Sequence, residues 1–262
     1  MATLTAITRY PIKSTAGEAL NSAEVTEEGL CRDRRFMVVK PDGRFVTART
    51  HPQLQRVTAR FDGRYLRLLC DDQTALDASR DHFGEQRFAT GVWADDFEAF
   101  TTTFALDAWF SRIVAEPVHL LWLGERSARF RETIGTRVSF ADGYPLLLTS
   151  TASLADVNAR TDGTHVMAQF RPNVVVAGVD AFAEDAWRRI RIGDVVFRVA
   201  KPCARCVMIT VDPATGRRRT DGEPLRTLSS YRNQGKDVMF GQNLIAENPG
   251  RLRRGDTVEI LE

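Results

Sequence analysis

The sequence predicts a mainly β protein in two parts, and three observations predict it. Hairpin turns recur at regular spacing through the first hundred residues. Helical periodicity is confined to two stretches, near 104–113 and 150–158. A polar, arginine-rich interruption at 125–137 then separates this half from a second series of short strands. A chain of 262 residues can bury one large core or two modest ones. The expected division is an N-terminal small β-barrel domain over residues 1–122 and a second β domain over residues 123–262, with short peripheral helices.

Leu4-Thr5-Ala6-Ile7-Thr8 alternates apolar and polar side chains, the period of a strand with one buried face. Residues 35–40 run into Pro41-Asp42-Gly43 and leave through Phe45-Val46-Thr47, a hairpin signature. Asp62-Gly63 joins residues 57–60 to 65–69 in the same manner. Between 104 and 113, Leu106, Trp109, Phe110 and Ile113 fall on one helical face, and a strand at 118–122 follows Pro117. Segment 125–137 holds Arg126, Arg129, Arg131 and Arg137 with few apolar residues, so it reads as an exposed loop or linker. Ser150-Thr151 offers capping hydroxyls for a short helix through Asn158. Strands then resume, and Gly193-Asp194 and Gly255-Asp256 each set a turn before a β-rich run.

Composition narrows the function. With 36 Lys+Arg against 34 Asp+Glu, the net charge of +2 lacks the basic excess of a dedicated nucleic-acid binder. No apolar run approaches the ~18 residues of a membrane span. The first ten residues show no basic head, apolar core and cleavage site, so a cytoplasmic location is the expectation. Four cysteines, Cys31, Cys70, Cys203 and Cys206, are too few for a disulfide framework, which leaves thiol or metal chemistry.

The densest constellation is Lys201-Pro202-Cys203-Ala204-Arg205-Cys206, between strands at 195–200 and 207–211. Residues 188–219 carry nine basic side chains against two acidic ones. A field of that sign favours a thiolate over a thiol and attracts an anion. The plain alternative is a pair of small buried hydrophobes beside a solvated hairpin tip at Arg217-Arg218-Arg219. Zinc fits less well, because there is no second CxxC and the four histidines show no ligand spacing. A thioredoxin-type motif belongs at a strand-to-helix junction, which this is not. Three further groups offer anion donors: Tyr10-Pro11-Ile12-Lys13-Ser14, Arg32-Asp33-Arg34-Arg35 and Gln169-Phe170-Arg171-Pro172-Asn173. Their meaning depends on whether they meet in space.

Together with Val46-Thr47-Ala48-Arg49, Phe140-Ala141-Asp142-Gly143-Tyr144-Pro145, Glu184-Asp185 before Trp187, Ile192-Gly193-Asp194 and Phe240-Gly241-Gln242-Asn243, these motifs resemble the MOSC-domain molybdenum proteins over nearly the whole chain. The resemblance is closest to the bacterial YcbX type and extends to the mitochondrial amidoxime reducing component. It implies a MOSC β-barrel behind the N-terminal β-barrel domain, and a molybdenum cofactor with a single pyranopterin between them. By motif position, Cys206 is the implied metal ligand and catalytic centre, a soft donor suited to a redox metal. Lys13, Ser14, Arg34 and Arg171 match positions that contact the pterin or its phosphate. Asp142, Gly143, Asn173, Ala204 and Arg205 match positions lining the same pocket.

The implied reaction is reduction of N-hydroxylated compounds: hydroxylamines, amidoximes and N-hydroxylated nucleobases. YcbX-type relatives commonly carry a C-terminal ferredoxin-type module; this sequence ends at Glu262 without cysteines for such a cluster. Electrons are therefore expected from a separate flavin or iron–sulfur protein, with no nucleic acid or membrane as partner. A second reading is a sulfur carrier or cofactor-handling protein using Cys206. A third is a binding module with an idle CxxC.

Overall fold

The computed structural model describes residues 1–71 and 73–262. The second half is a barrel. Its sheet runs Thr3–Arg9, Val174–Ala177, Leu146–Ser150, Asp237–Ala246, Val195–Arg205, Arg189–Ile192, Val258–Ile260, with Glu18–Leu20 outside Thr3–Arg9. The ends meet: Thr3 bridges Thr257, and the Val258 amide donates to the Ala2 carbonyl at 2.9 Å. Closure removes the exposed edges an open sheet would leave. Inside lie Leu4, Leu148, Val176, Ile190, Phe197, Leu244 and Val258, alternating with outward residues along each strand. The chain's first strand is therefore a stave of the barrel built mostly from residues beyond 145.

Leu146–Ser150 and Val174–Ala177 are parallel, so the chain must cross over between them. The helix Thr151–Arg160 and the short helix Met167–Phe170 supply that crossover. Ser150 caps the first as its hydroxyl accepts from the Ser153 amide at 3.0 Å, as the sequence led us to expect.

The N-terminal half packs two antiparallel sheets around the helix Phe104–Val114. One contains Phe36–Val39, His119–Trp122, Asp95–Thr101 and Arg87–Val92; the other contains Thr58–Phe61, Tyr65–Cys70 and Gln73–Ser79. Trp109 and Phe110 bury the helix against Phe36, Phe61, Leu66 and Leu68. The Asp62-Gly63 hairpin forms as expected. At Pro41-Asp42-Gly43 the chain reverses, but its returning limb makes only a bridge from Phe45 to Val39. Phe36–Val39 instead takes its ladder from His119–Trp122, a partner some eighty residues away that local pattern cannot name.

The arginine-rich stretch departs from expectation. It contains the hairpin Phe130–Arg131 with Thr136–Arg137, and Arg129 is only 3% exposed. The Arg129 guanidinium donates to the carbonyls of Ser139 and Asp142 at 3.0 Å each, to that of Ala141, and to Asp95. Buried charge is tolerated when it is paired and hydrogen-bonded, and here those bonds fasten the 139–142 loop. Among the described residues, no helix is long and apolar enough to cross a membrane.

Candidate functional site

The strand Thr3–Arg9 stops at Tyr10-Pro11, where proline cannot extend the ladder, and the chain leaves the barrel to bridge Phe36 of the N-terminal half at Ile12. Lys13 follows, only 5% exposed, donating to the Phe140 carbonyl at 2.7 Å and to Asp142 Oδ1 at 2.5 Å. Tyr10 lies between two guanidiniums, Arg171 at 4.2 Å and Arg34 at 4.5 Å from its ring centroid. Asp33 anchors the arrangement: its Oδ1 accepts from the Tyr10 amide at 2.7 Å and its Oδ2 from Arg34. Asn173 braces it, accepting from Arg34 at 3.2 Å and donating to the Thr8 carbonyl at 3.1 Å.

From the barrel side, Val195–Arg205 runs five residues past the expected end of its strand and carries Cys203 within it. Its pairing with Asp237–Ala246 shifts register between Val199 and Lys201 and again between Pro202 and Ala204. Such bulges re-aim side chains next to functional sites. A single 3-10 turn, Val207–Thr210, begins directly after Cys206. Arg205 donates to Cys203 Sγ at 3.0 Å and to the Phe170 carbonyl at 2.7 Å.

The ten residues singled out from the sequence, Lys13, Ser14, Arg34, Asp142, Gly143, Arg171, Asn173, Ala204, Arg205 and Cys206, all line one cavity of about 330 Å³. That volume is within the range of small-molecule sites. Sequence reasoning missed two contributors from the N-terminal half. Arg49 donates from Nε to Cys206 Sγ at 3.3 Å and from Nη2 to Asp142 Oδ2 at 2.6 Å. Trp93 lies under it, the guanidinium carbon 4.8 Å from the ring centroid. Arg49 was visible within the Val46-Thr47-Ala48-Arg49 motif, but its reach to Cys206 depends on how the two halves meet.

The electrostatics describe an anion site. Burial pushes the Lys13 ammonium down to about 8, partly offset by Asp142. Burial likewise pushes Arg171 down to about 10. Burial opposes ionisation of Asp142, but Lys13 and Arg49 outweigh it and hold the carboxyl well below the usual range. Arg34 and Arg49 are also penalised by burial, yet Asp33 and Asp142 respectively raise them. Two cations depressed by burial mark incomplete neutralisation, which an anion would complete.

Two donors state this directly. Arg171 Nη2 and Arg205 Nε are buried without a hydrogen-bond partner, a cost normally avoided. Among the described residues, seven non-glycine residues adopt left-handed φ, and four of them line the cavity: Ser14 (71°), Arg34 (48°), Trp93 (59°) and Arg171 (56°). Strain gathered this way is a feature of functional sites. No group of three or more His, Cys, Asp or Glu among the described residues could hold a metal. A metal beside Cys206 would thus take most of its ligands from a partner molecule. The unpaired guanidinium donors of Arg171 and Arg205 and the thiols of Cys203 and Cys206, all lining one cavity, fit a phosphate-bearing cofactor that carries a thiophilic metal.

Comparison with known proteins gives a concordant picture. Residues 1–117 match the family model described as MOSC N-terminal beta barrel domain, and residues 135–259 that described as MOSC domain. The chain is 33% identical over 273 residues to mitochondrial amidoxime-reducing component 1 of Homo sapiens, covering 96% of this chain and 81% of that protein. It is 34% identical over 277 residues to mitochondrial amidoxime reducing component 2 of Rattus norvegicus, covering 95% and 80%. Molybdenum cofactor sulfurase of Solanum lycopersicum is 28% identical over 285 residues, a match spanning 99% of this chain but 35% of that longer protein.

Proposed function

The chain belongs to the MOSC-domain family, with the mitochondrial amidoxime-reducing components among its relatives, and from that premise we propose that it is a molybdenum-cofactor-dependent reductase of N-hydroxylated compounds. The observation that carries this reading is that the Cys206 thiol and two residues with unpartnered buried donors, Arg171 and Arg205, line one cavity. When bound, a molybdenum pyranopterin supplies a two-electron redox centre with affinity for oxygen donors. Cys206 is the protein ligand to that metal. Lys13, Ser14, Arg34, Arg171 and Arg205 take the anionic pterin and phosphate groups, while Asp142, Gly143, Asn173 and Ala204 complete the walls.

Arg49 places a fixed positive charge beside the sulfur, and its bond to Asp142 keeps it there. Lys13, its ammonium pushed down to about 8 by burial, is held by the Phe140 carbonyl and Asp142 as a donor for the anionic cofactor. Reduction of an R–NH–OH group to R–NH2 consumes two electrons and two protons and releases one water. The electrons come from a separate flavin or iron–sulfur donor protein.

The test is turnover of benzamidoxime to benzamidine by protein expressed with molybdenum-cofactor biosynthesis, using reduced methyl viologen as donor. Turnover in the parent and its loss by at least about a thousandfold in Cys206→Ala is expected for removal of the metal ligand. A molybdenum-loaded parent that makes no benzamidine would contradict the reading. The tomato relative favours a second reading, transient cofactor or sulfur handling at Cys206. That reading predicts release of cofactor or sulfur to an acceptor protein and no sustained turnover.

A further inference from the structure

Trp93 breaks a local rule. It is the first residue of a two-residue turn, since Val92 pairs with Asp95 across the hairpin of Arg87–Val92 and Asp95–Thr101. Its φ is 59° while Ala94 is not left-handed. The first position of such a turn favours glycine, because a side chain there meets the backbone. A bulky aromatic at positive φ is a clear outlier. Nor does the indole repay the cost by burial, for it is 58% exposed.

What the strained turn achieves is placement. Trp93 lines the same cavity as Cys206. Phe45 meets its ring edge-on, with centroids 5.4 Å apart, and Arg49 stacks on it at 4.8 Å. A single side chain, Arg49, thus touches both the thiol sulfur and the indole. The indole is held by both contacts and stays more than half exposed. A rigid, exposed aromatic surface costs little entropy when a flat ligand stacks on it.

Resting on the reductase reading, we infer that Trp93 is the specificity-determining wall of the substrate entrance, stacking planar, π-conjugated N-hydroxylated compounds beside Cys206. Small aliphatic hydroxylamines have no face to offer it and gain nothing from it. Arg49 acts on this selectivity as a positioning residue.

The experiment compares benzamidoxime with N-methylhydroxylamine in the parent, Trp93→Ala and Trp93→Phe. Binding of benzamidoxime is measured by calorimetry, and kcat/KM is measured for both probes. Trp93→Ala is expected to weaken benzamidoxime binding about tenfold, as loss of one stacking contact does. It should lower the preference for benzamidoxime over N-methylhydroxylamine by a similar factor, largely through KM, and Trp93→Phe should restore most of both. An unchanged preference in Trp93→Ala, an equal loss for both probes, or a parent that does not bind benzamidoxime would overturn the assignment. Trp93-dependent binding of benzamidoxime without turnover of either probe would uphold the assignment and strike the reductase reading instead.

Discussion

Lys13 shows how a functional residue works against the fold that holds it. Its ammonium is buried, and burial pushes it from 10.5 down to about 8 despite the Asp142 carboxylate. A lysine whose folded pKa lies below its unfolded value penalises the folded state fully below the folded pKa; the penalty fades as pH climbs to the unfolded value. Lys13→Met is therefore expected to stabilise the metal-free protein at pH 7 by up to about 3 kcal/mol, an advantage gone near pH 10.5. Urea unfolding at the two pH values checks this, and a destabilised variant at pH 7 would show that the Asp142 pair outweighs desolvation. The same variant should retain less cofactor, because an anion at this site is what repays the buried charge. The sequence exposed Lys13 as a donor next to a strand end. Its burial was not legible, because the carbonyl and carboxylate that receive it come from residues 140 and 142.

At the scale of elements, the strand Val195–Arg205 and its partner Asp237–Ala246 set the direction of the Cys203 to Cys206 segment. Gly241 sits at the second register shift with φ 80°, and a Cβ there would lie 2.6 Å from the Leu148 carbonyl oxygen. Gly241→Ala is expected to cost about 2–4 kcal/mol, combining backbone strain with a clash against backbone. Gly255→Ala is the control: φ is 93° but nothing lies within 4 Å of the added carbon, so about 1 kcal/mol is expected. Denaturant midpoints for the two variants measure the difference, and equal costs would remove the argument for close approach at Gly241. Local signals revealed the Asp62-Gly63 hairpin and the helix Phe104–Val114, where turn chemistry and period act over a few residues. They misread 125–137, because Arg129 is buried by carbonyls ten or more residues further on. Solvated and buried arginines look alike in sequence.

On the scale of the whole molecule, the cavity exists because two halves close on each other. Lys13 and Ser14 arrive from the strand that completes the barrel, Arg49 and Trp93 from the N-terminal half, and Cys206 from the barrel wall. Barrel closure through Thr3 and Thr257 joins residues some 250 positions apart, and no periodicity carries that information. The ordered motifs drew together residues far apart in sequence: all ten chosen from them line one cavity. What motifs could not provide was the apposition that brings Arg49 to Cys206 and Trp93 to Arg49.

The central claim is that this cavity holds a molybdenum cofactor through Cys206. Molybdenum by elemental analysis, with pterin by fluorescence after oxidation, on protein from a host that makes the cofactor tests it most directly. The account predicts close to one molybdenum and one pterin per chain in the parent and in Cys203→Ala, and loss of the metal in Cys206→Ala. A folded parent carrying neither species, or a Cys206→Ala variant that keeps its molybdenum undiminished, would contradict it.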